Sequence, residues 1–478
     1  MLFNSFAFAI FLPIVFILYW ALPKKFQWVI ILISSYYFYM SWNVKYVFLI
    51  LFTTLISYIT AILVDKEKKE KLRKLYVAIA VIVSLGVLFF FKYFNFISAS
   101  VADFLGMFSI QYSPFLLNVL LPVGISFYTF QTLAYVIDVY RGETEAEHHF
   151  GKYAAFISFF PQLVAGPIER TVNLLPQIKR ENSFDYKQAS YGMKLMAWGF
   201  LKKIVIADTL AVYVDKIYND VYSYSGMVLV IATLFFTIQI YCDFSGYSDI
   251  AVGCAKLFGI ELMANFKSPY FSASVKEFWS RWHISLSTWF RDYVYIPMGG
   301  NRVPKWRNRL NLIVTFLVSG LWHGANWTYV IWGGVHGVAQ VIEKLFVVKG
   351  KEGNKYLKPF KILCVFAFAA FAWIFFRAQN LTEAMYVIRH AFSGISSPIQ
   401  YLKAGYSNLG IDKDALWVCV GMLGLLGVYD GLSLKYDVIG CISKWKVGFR
   451  WIMYLAVILL ILFYAPIGNA SSFIYFQF

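Results

Sequence analysis

Long uncharged apolar runs recur along most of the chain and determine its predicted architecture. Residues 6–20, 26–42 and 75–91 carry no charged side chain and approach the length that an α-helix needs to cross a bilayer. Such runs are typical of a helical membrane protein, in which each segment satisfies its own backbone groups. The predicted span cores lie at residues 6–22, 26–42, 46–64, 75–91, 115–137, 153–166, 191–215, 224–242, 310–327, 329–347, 362–376, 415–433 and 451–467.

We therefore predict an all-α polytopic membrane protein with about 11–12 transmembrane helices. Glycine and proline interrupt the runs around 115–166 and 310–347, where re-entrant or interfacial helices are expected. No linker in the sequence is long enough to separate a soluble domain. Residues 1–478 are expected to form one membrane domain, with 451–478 as a C-terminal helix and tail.

Composition agrees with a bilayer as the main solvent of this chain. Hydrophobic residues make up 60% and charged residues 14%, whereas soluble globular proteins carry about a quarter charged residues. The net charge of +17 is explained by basic loops that face the cytoplasm and anionic lipid, so no nucleic-acid partner is expected. The five cysteines form no C-x-x-C pair and are predicted to be small buried hydrophobes.

The basic loops also predict an orientation. They follow the first and third spans, precede and follow the pair of spans at 310–347, and precede the last span. If these loops are cytoplasmic, both the N-terminus and the C-terminus lie on the extracytoplasmic side of a plasma membrane.

His323 is an ionisable side chain inside a predicted span. Ionisable groups at membrane depth are costly and mark functional sites by default, and histidine suits a general base near neutral pH. Gly320 and Gly324 would let a substrate approach the backbone closely, and Asn326 lies nearby. The alternative is a buried histidine satisfied by a neighbour. His336 would face away from His323 on a continuous helix.

A second segment, residues 276–300, mixes tryptophans with charged side chains. Arg281 and Trp282 stand directly before His283 in this segment. The simpler interpretation of its composition is an amphipathic helix in the membrane interface, with tryptophans at headgroup depth. The alternative is that His283 is a second catalytic or substrate-positioning group.

Asp243 and Asp249 stand where a long apolar run ends. They could orient a histidine ring, support a backbone turn or cap the next helix. Structural support is the favoured role for both.

Residues 471–478 are rich in aromatic side chains. An interfacial aromatic anchor is the common explanation for such a tail. Tyr475 also offers a phenolic hydroxyl, and tyrosine can act as a covalent nucleophile. Because the ordinary pKa of tyrosine is about 10, this role would need a neighbouring base.

Several stretches together resemble the membrane-bound O-acyltransferase superfamily, in particular its bacterial alginate and peptidoglycan O-acetyltransferase branch. This branch is related to the protein that exports D-alanine to teichoic acids. The resemblance extends over most of the chain. The stretches are Pro122–Tyr128, Gly166–Arg170, Tyr241–Asp249, Phe278–Ser285 and Gly320–Gly324.

The resemblance implies a ring of tilted helices around a thin central region that is pierced by a tunnel. It places the family's catalytic histidine at His323 and its other motif histidine at His283. The residues expected to line or support the tunnel are Asn326, Trp282, Asp243 and Arg281. In this branch a Phe-x-Tyr-Phe-x-Phe motif is expected to carry the acyl group on its tyrosine, and the matching positions are Phe473, Tyr475, Phe476 and Phe478.

The function implied is transfer of an acetyl group from a cytoplasmic thioester, acetyl-coenzyme A or an acyl carrier protein, for O-acetylation of a secreted or cell-wall polysaccharide. His323 would be the general base, and His283 or Asn326 would orient groups or stabilise the oxyanion. The acyl group would rest on Tyr475 until an extracytoplasmic partner acyltransferase of the SGNH/GDSL type collects it. Neither a bound cofactor nor a metal site is expected.

Two other functions stay open at this stage. An O-acyltransferase that modifies a lipid acceptor would share the histidine but would not need Tyr475. A transporter of a small molecule or a lipid-linked sugar would also show polar, glycine-broken helices. A transporter should tolerate His323→Gln much better than a transferase.

Overall fold

The computed structural model describes residues 1–164, 166–346, 355–465 and 473–474. Within these ranges the chain is all-α, and no β-strand occurs in them. Packing divides the chain into a first unit, Met1–Met193 with Ala251–Met263, and a second unit, Lys194–Ile250 with Ala264–Phe478. The single membrane domain stays a prediction.

The helices follow one another along the whole described chain. Up to residue 218 they are α1 (Phe6–Ala21), α2 (Gln27–Met40), α3 (Val47–Lys66), α4 (Glu70–Leu88), α5 (Phe94–Gly106), α6 (Ile125–Arg141), α7 (Phe150–Ser158), α8 (Phe160–Leu163), α9 (Thr171–Lys179), α10 (Tyr186–Phe200) and α11 (Asp208–Tyr218). After it they are α12 (Met227–Leu257), α13 (Val275–Arg281), α14 (Ile284–Phe290), α15 (Lys305–His323), α16 (Trp327–Phe346), α17 (Lys358–Arg377), α18 (Leu381–His390), α19 (Pro398–Leu409), α20 (Lys413–Ser433), α21 (Val438–Ile442) and α22 (Val447–Tyr464).

Shorter turns complete the backbone. The π-helical turns are Phe89–Tyr93, Leu201–Ala207 and Arg291–Tyr295. The 3-10 turns are Lys24–Phe26, Val44–Tyr46, Val221–Ser223, Pro269–Phe271 and Lys355–Leu357.

Short polar side chains fix several helix starts. Ser5 accepts the N–H of Phe8 at the start of α1, and Asp412 accepts the N–H of Ala415 at the start of α20. Each bond satisfies a backbone donor that has no partner within the helix.

The chain is a multi-pass membrane protein. Six helical stretches of the described residues are long and apolar enough to cross a membrane: Val44–Lys66, Glu70–Gly106, Met227–Leu257, Lys358–Arg377, Lys413–Ser433 and Val447–Tyr464. Helix α1 is also apolar but shorter. The predicted number of about 11–12 includes helices below this threshold, such as α2 with 14 residues and α15 with basic residues in its first turn.

Three predicted spans need correction. The span 115–137 starts too early, because Gly124 takes a left-handed φ of 74° and α6 begins only after it. The span 153–166 is interrupted at Phe159, between α7 and α8. The span 224–242 continues to Leu257 as α12, so Asp243 lies inside a helix and does not cap one.

In the first unit a buried amide network connects three distant segments. The backbone N–H of Asn182 donates to the side-chain oxygen of Gln27 at 2.8 Å, and the Gln27 amide donates back to the Asn182 carbonyl at 3.1 Å. The Asn182 side chain donates to the Tyr19 hydroxyl at 3.1 Å. Because all three side chains are buried, these bonds hold the ends of α1 and α2 against the loop after α9.

In the second unit α15 and α16 cross at backbone contact. A Cβ added at Gly320 would lie 2.2 Å from the Tyr329 carbonyl oxygen, and one at Gly333 would lie 2.2 Å from that of Phe316. A Cβ at Gly324 would lie 2.2 Å from the Tyr329 ring. The space beside Gly320 and Gly324 is therefore filled by α16, which corrects the expectation that substrate approaches there.

Candidate active site

His323 is the last residue of α15 and is buried, with 2% of its surface exposed. The helix ends there because Gly324 takes an extended conformation, with φ −160° and ψ 151°. The His323 ring centroid lies 5.0 Å from that of Trp332 on α16 and 5.4 Å from that of Phe376 on α17. Three helices thus build an aromatic pocket around this imidazole.

His283 lies between α13 and α14 and is fully buried. Its backbone is left-handed, with φ 43° and ψ 55°, a conformation that costs non-glycine residues about 1–3 kcal/mol. This conformation separates two short helices where one interfacial amphipathic helix was predicted. Trp279, Trp282 and Trp289 are also buried, so they pack inside the protein, and their placement at headgroup depth stays a prediction.

The structure brings the two predicted motif histidines together. The ring centroids of His283 and His323 are 6.3 Å apart, and the planes are inclined by 61°. Trp322 lies beside both, 6.1 Å from His283 and 5.1 Å from His323. Two imidazoles and aromatic rings therefore form one buried site.

Asn265, which sequence reasoning missed, determines the tautomer of His283. The Asn265 side-chain oxygen accepts the backbone N–H of Ser285 at 3.2 Å and the Ser285 hydroxyl at 2.9 Å. The same oxygen lies 3.2 Å from Nδ1 of His283. Because a carbonyl oxygen only accepts, Nδ1 carries the proton and Nε2 keeps its lone pair.

The second nitrogen of His283 is available as a base. Among the described residues, Nε2 of His283 has no hydrogen-bond partner. Burial lowers the pKa of His283 to about 3, because a charged imidazolium is poorly solvated in this interior. The ring is therefore neutral near pH 7, as a proton acceptor must be.

His336 also joins this site, contrary to the prediction that it faces away. That prediction assumed one continuous helix, whereas α15 ends before α16 begins. The Trp332 ring centroid lies 5.0 Å from both His323 and His336. Nδ1 of His336 accepts the indole N–H of Trp279 at 3.2 Å. We call His283, His323 and His336 the histidine cluster.

The other predicted support residues have local roles. Trp282 is fully buried, with its ring centroid 5.0 Å from that of Trp373. Arg281 pairs with Glu277 at 2.6 Å on α13 and stays partly exposed. Asn326 donates to the Gln379 carbonyl at 2.9 Å and accepts the Thr328 N–H at 3.0 Å, so it shapes the turn between α15 and α16.

Asp243 belongs to a group of ion pairs formed by α12, the π-helical turn after α10 and the first residue of α11. Lys203 Nζ lies 2.7 Å from Asp243 Oδ1 and 2.8 Å from Asp208 Oδ1. The neighbouring Lys202 lies 2.7 Å from Asp249. We call these five residues the ion-pair cluster. Burial without such partners would cost each ion several kcal/mol, so the pairs explain how α12 tolerates two aspartates.

The C-terminal segment reaches this part of the second unit. Phe473 is fully buried, and its ring centroid lies 4.4 Å from that of Tyr247 and 5.7 Å from that of Phe244. The Phe244 ring in turn lies 4.6 Å from His283. One aromatic side chain therefore contacts both the tail and the histidine cluster.

Ile474 is anchored through its backbone. Its N–H donates to Oδ2 of Asp243 at 2.8 Å, and its side chain is buried. The predicted nucleophile Tyr475, with Phe476 and Phe478, lies outside the described residues.

The described residues contain no group of three or more histidine, cysteine, aspartate or glutamate side chains with the geometry of a metal site. The side chains in place offer imidazoles in a buried aromatic pocket. Such imidazoles can accept a proton from a hydroxyl nucleophile and return it to a leaving group.

Comparison with known proteins gives consistent matches. The family model of MBOAT, the membrane-bound O-acyltransferase family, matches residues 143–387. Probable alginate O-acetylase AlgI of Pseudomonas aeruginosa is 40% identical over 392 residues, which is 82% of this chain and 74% of that protein. Its namesake from Pseudomonas putida is 38% identical over 491 residues, 99% of both chains. Peptidoglycan O-acetyltransferase of Helicobacter pylori is 35% identical over 425 residues, 81% of this chain and 79% of that protein.

Proposed function

The chain belongs to the membrane-bound O-acyltransferase family, and we propose that it moves acetyl groups from a cytoplasmic thioester to a polysaccharide outside the plasma membrane. The resemblance predicted from the motifs is confirmed, and the chain is an O-acyltransferase. The donor, the acyl group, the acceptor and the direction of transfer are the content of the proposal. In it both termini are extracytoplasmic.

The observation that carries the proposal is the contact between the histidine cluster and the tail. His283 and His323 lie 6.3 Å apart in a buried pocket. Phe244 touches His283 on one side and Phe473 on the other. Tyr475 follows two residues after Phe473, so a hydroxyl nucleophile is encoded next to the segment that packs against the site.

The first step is attack of the Tyr475 hydroxyl on the carbonyl carbon of the thioester. A C–O bond forms and the C–S bond breaks, while the phenolic proton passes to His323 and from there to the leaving thiolate. His283 orients the reacting groups, with its own Nε2 held unprotonated by the bond from Nδ1 to Asn265. The aromatic walls exclude water, which would otherwise hydrolyse the thioester.

The second step takes place on the extracytoplasmic side. A hydroxyl of a partner acyltransferase attacks the tyrosyl ester, takes the acetyl group and regenerates the Tyr475 hydroxyl. The partner then acetylates a polysaccharide. A polysaccharide acceptor is supported by the names of relatives that act on alginate and peptidoglycan. The donor is acetyl-coenzyme A or an acetylated carrier protein.

The test is to incubate purified protein with a radiolabelled acetyl thioester and to measure label on the chain. Wild type is compared with His323→Ala and Tyr475→Phe. The matched controls are His390→Ala, from helix α18, and Tyr436→Phe, from an exposed position. We expect label on wild type and both controls, and its loss in the two site variants.

Each of the other outcomes indicates a different route of acyl transfer. Label that survives Tyr475→Phe contradicts the tyrosine relay and means that another residue of the chain carries the acyl group. The absence of label from every sample, with an active donor, contradicts a covalent relay on the chain and leaves direct transfer to a lipid or polymer acceptor. Donor added only inside or only outside proteoliposomes then tests the direction of transfer.

A further inference from the structure

The carboxylate of Asp243 is divided between two partners. Oδ1 faces Lys203 Nζ at 2.7 Å, and Oδ2 accepts the Ile474 N–H at 2.8 Å. We propose that Asp243 is a positioning residue that fixes the register of the C-terminal segment beside the histidine cluster, with Lys203 holding Asp243 in place. The catalytic use of this segment rests on the proposed function; the anchoring itself does not.

The charges around Lys203 explain why Asp243 accepts a hydrogen bond from a backbone amide. One ammonium lies between the carboxylates of Asp208 and Asp243, so the buried Asp243 shares this cation with a second acid. Unbalanced buried charge is costly, and an N–H donor aimed at a carboxylate forms a charge-assisted hydrogen bond. The Ile474 amide supplies such a donor from a segment more than 200 residues away in sequence.

Helix α12 presents an aromatic pocket on the same face as this anchor. Asp243 and Tyr247 are four residues apart, so their side chains project from neighbouring positions on one side of the helix. Tyr247 contacts the Phe473 ring while Asp243 binds the next backbone N–H.

The two contacts together specify a register. If the tail slipped by one residue, either the Phe473 ring would leave its pocket or Asp243 would lose the Ile474 amide. The anchor therefore determines that Tyr475 is the first residue beyond the docked pair. A tail held only by apolar contact would not be fixed in this way, because apolar contacts are not directional.

The docking readout must not depend on acyl chemistry. We would replace Phe473 with benzoylphenylalanine and measure photo-cross-linking to the peptide that contains Phe244 and Tyr247. In the native sequence we would measure the initial rate of acetyl labelling at a series of donor concentrations. Thermal stability in detergent would show whether each variant is folded.

Four variants test the anchor. Ile474→Pro removes the amide donor and leaves every buried ion pair intact, whereas Ile474→Val keeps the donor. Asp243→Ala removes the acceptor, and its matched control Asp208→Asn removes one negative charge beside Lys203 while leaving the Asp243 acceptor in place. If Asp243→Ala does not fold, Ile474→Pro alone decides.

We expect Ile474→Pro and Asp243→Ala to lower both the cross-link yield and the labelling rate at least about tenfold, the change for losing one hydrogen bond to a charged group. The half-saturating donor concentration should stay unchanged, and Ile474→Val and Asp208→Asn should keep the wild-type cross-link. Rescue by valine separates the backbone bond from the size of the side chain.

Wild-type cross-link yields in Ile474→Pro and in folded Asp243→Ala would overturn the proposal. The two proposals fail separately. Loss of the cross-link in a protein whose Tyr475 never carries label would uphold the anchor and contradict the relay. Labelling of Tyr475 at the wild-type rate in Ile474→Pro would uphold the relay and contradict the anchor.

Discussion

The histidine cluster and the ion-pair cluster both lie in the second unit, yet the first is built from imidazole rings and the second from paired charges. His283, His323 and His336 are surrounded by tryptophan and phenylalanine side chains. Lys202 and Lys203 each lie within 2.8 Å of an aspartate oxygen. Both arrangements avoid an isolated buried charge, by opposite means.

The difference suits the two regions to different tasks. A general base must begin neutral and then accept a proton. A fixed carboxylate beside the imidazole would raise the pKa of the ring and favour its charged form. A structural anchor must hold one geometry, which paired ions do because separating them is costly. Phe244 is next to Asp243 in sequence and touches His283, so the two regions are adjacent without sharing charges.

Removal of the proposed base, His323, should have the greatest consequence for activity. His323→Gln keeps a polar side chain of similar size but no group that accepts a proton near pH 7. We expect acetyl transfer to fall about 10²–10⁴-fold, the usual contribution of a general base. His390→Gln on α18 is the matched control and should retain activity. Activity of His323→Gln within a few-fold of wild type would move the base to another residue.

Removing the central cation of the ion-pair cluster should instead cost stability. Lys203→Met leaves Asp208 and Asp243 without their ammonium, and we expect a loss of about 3–5 kcal/mol in the free energy of unfolding. Lys256→Met, which removes a pair with exposed Glu261, should cost about 0–1 kcal/mol. Denaturant titration in detergent measures both. Equal small losses would mean that the buried pairs are not needed to hold the fold.

The helix crossing beneath His323 offers a steric test. Ala at Gly320 would place a Cβ 2.2 Å from the Tyr329 carbonyl, so we expect Gly320→Ala to destabilise the protein by about 1–3 kcal/mol. Gly86→Ala, in α4, has nothing within 4 Å of the added Cβ and should stabilise its helix by about 0.5–1 kcal/mol. Thermal unfolding of the two variants compares them directly. If the two variants were equally stable, α15 and α16 would not cross at backbone contact.

The sequence predicted those parts of the fold that depend on local hydrophobicity. The spans 415–433 and 451–467 agree with α20 and α22 within a few residues at each end. The prediction failed where residues distant in sequence determine where a helix ends. Asp243 and Asp249 look like the end of a span, but lysines from another segment neutralise them and α12 continues to Leu257.

Two histidines of the candidate site could be predicted from the sequence, but the residues that hold them in place could not. His323 stands out as an ionisable residue in an apolar run, and His283 through its motif. Asn265 contacts His283 only because a left-handed turn brings two loops together, and no periodicity marks that contact. His336 joins the cluster because α15 ends at His323, and spacing along one continuous helix cannot predict where that helix ends.

The pH dependence of stability tests whether the fold holds the His283 ring neutral. The folded pKa of His283 is about 3, below the ordinary value of about 6.5 for an unfolded chain. Between these values the unfolded chain binds one more proton, so wild-type stability should fall as pH drops below 6.5, by at most about 1.4 kcal/mol per pH unit. His283→Gln should lack this contribution and show a shallower slope between pH 6.5 and 5.5, while His390→Gln should follow wild type. Parallel slopes for wild type and His283→Gln would show that His283 is not held neutral by the fold, and the contrast between the two clusters would lose its electrostatic basis.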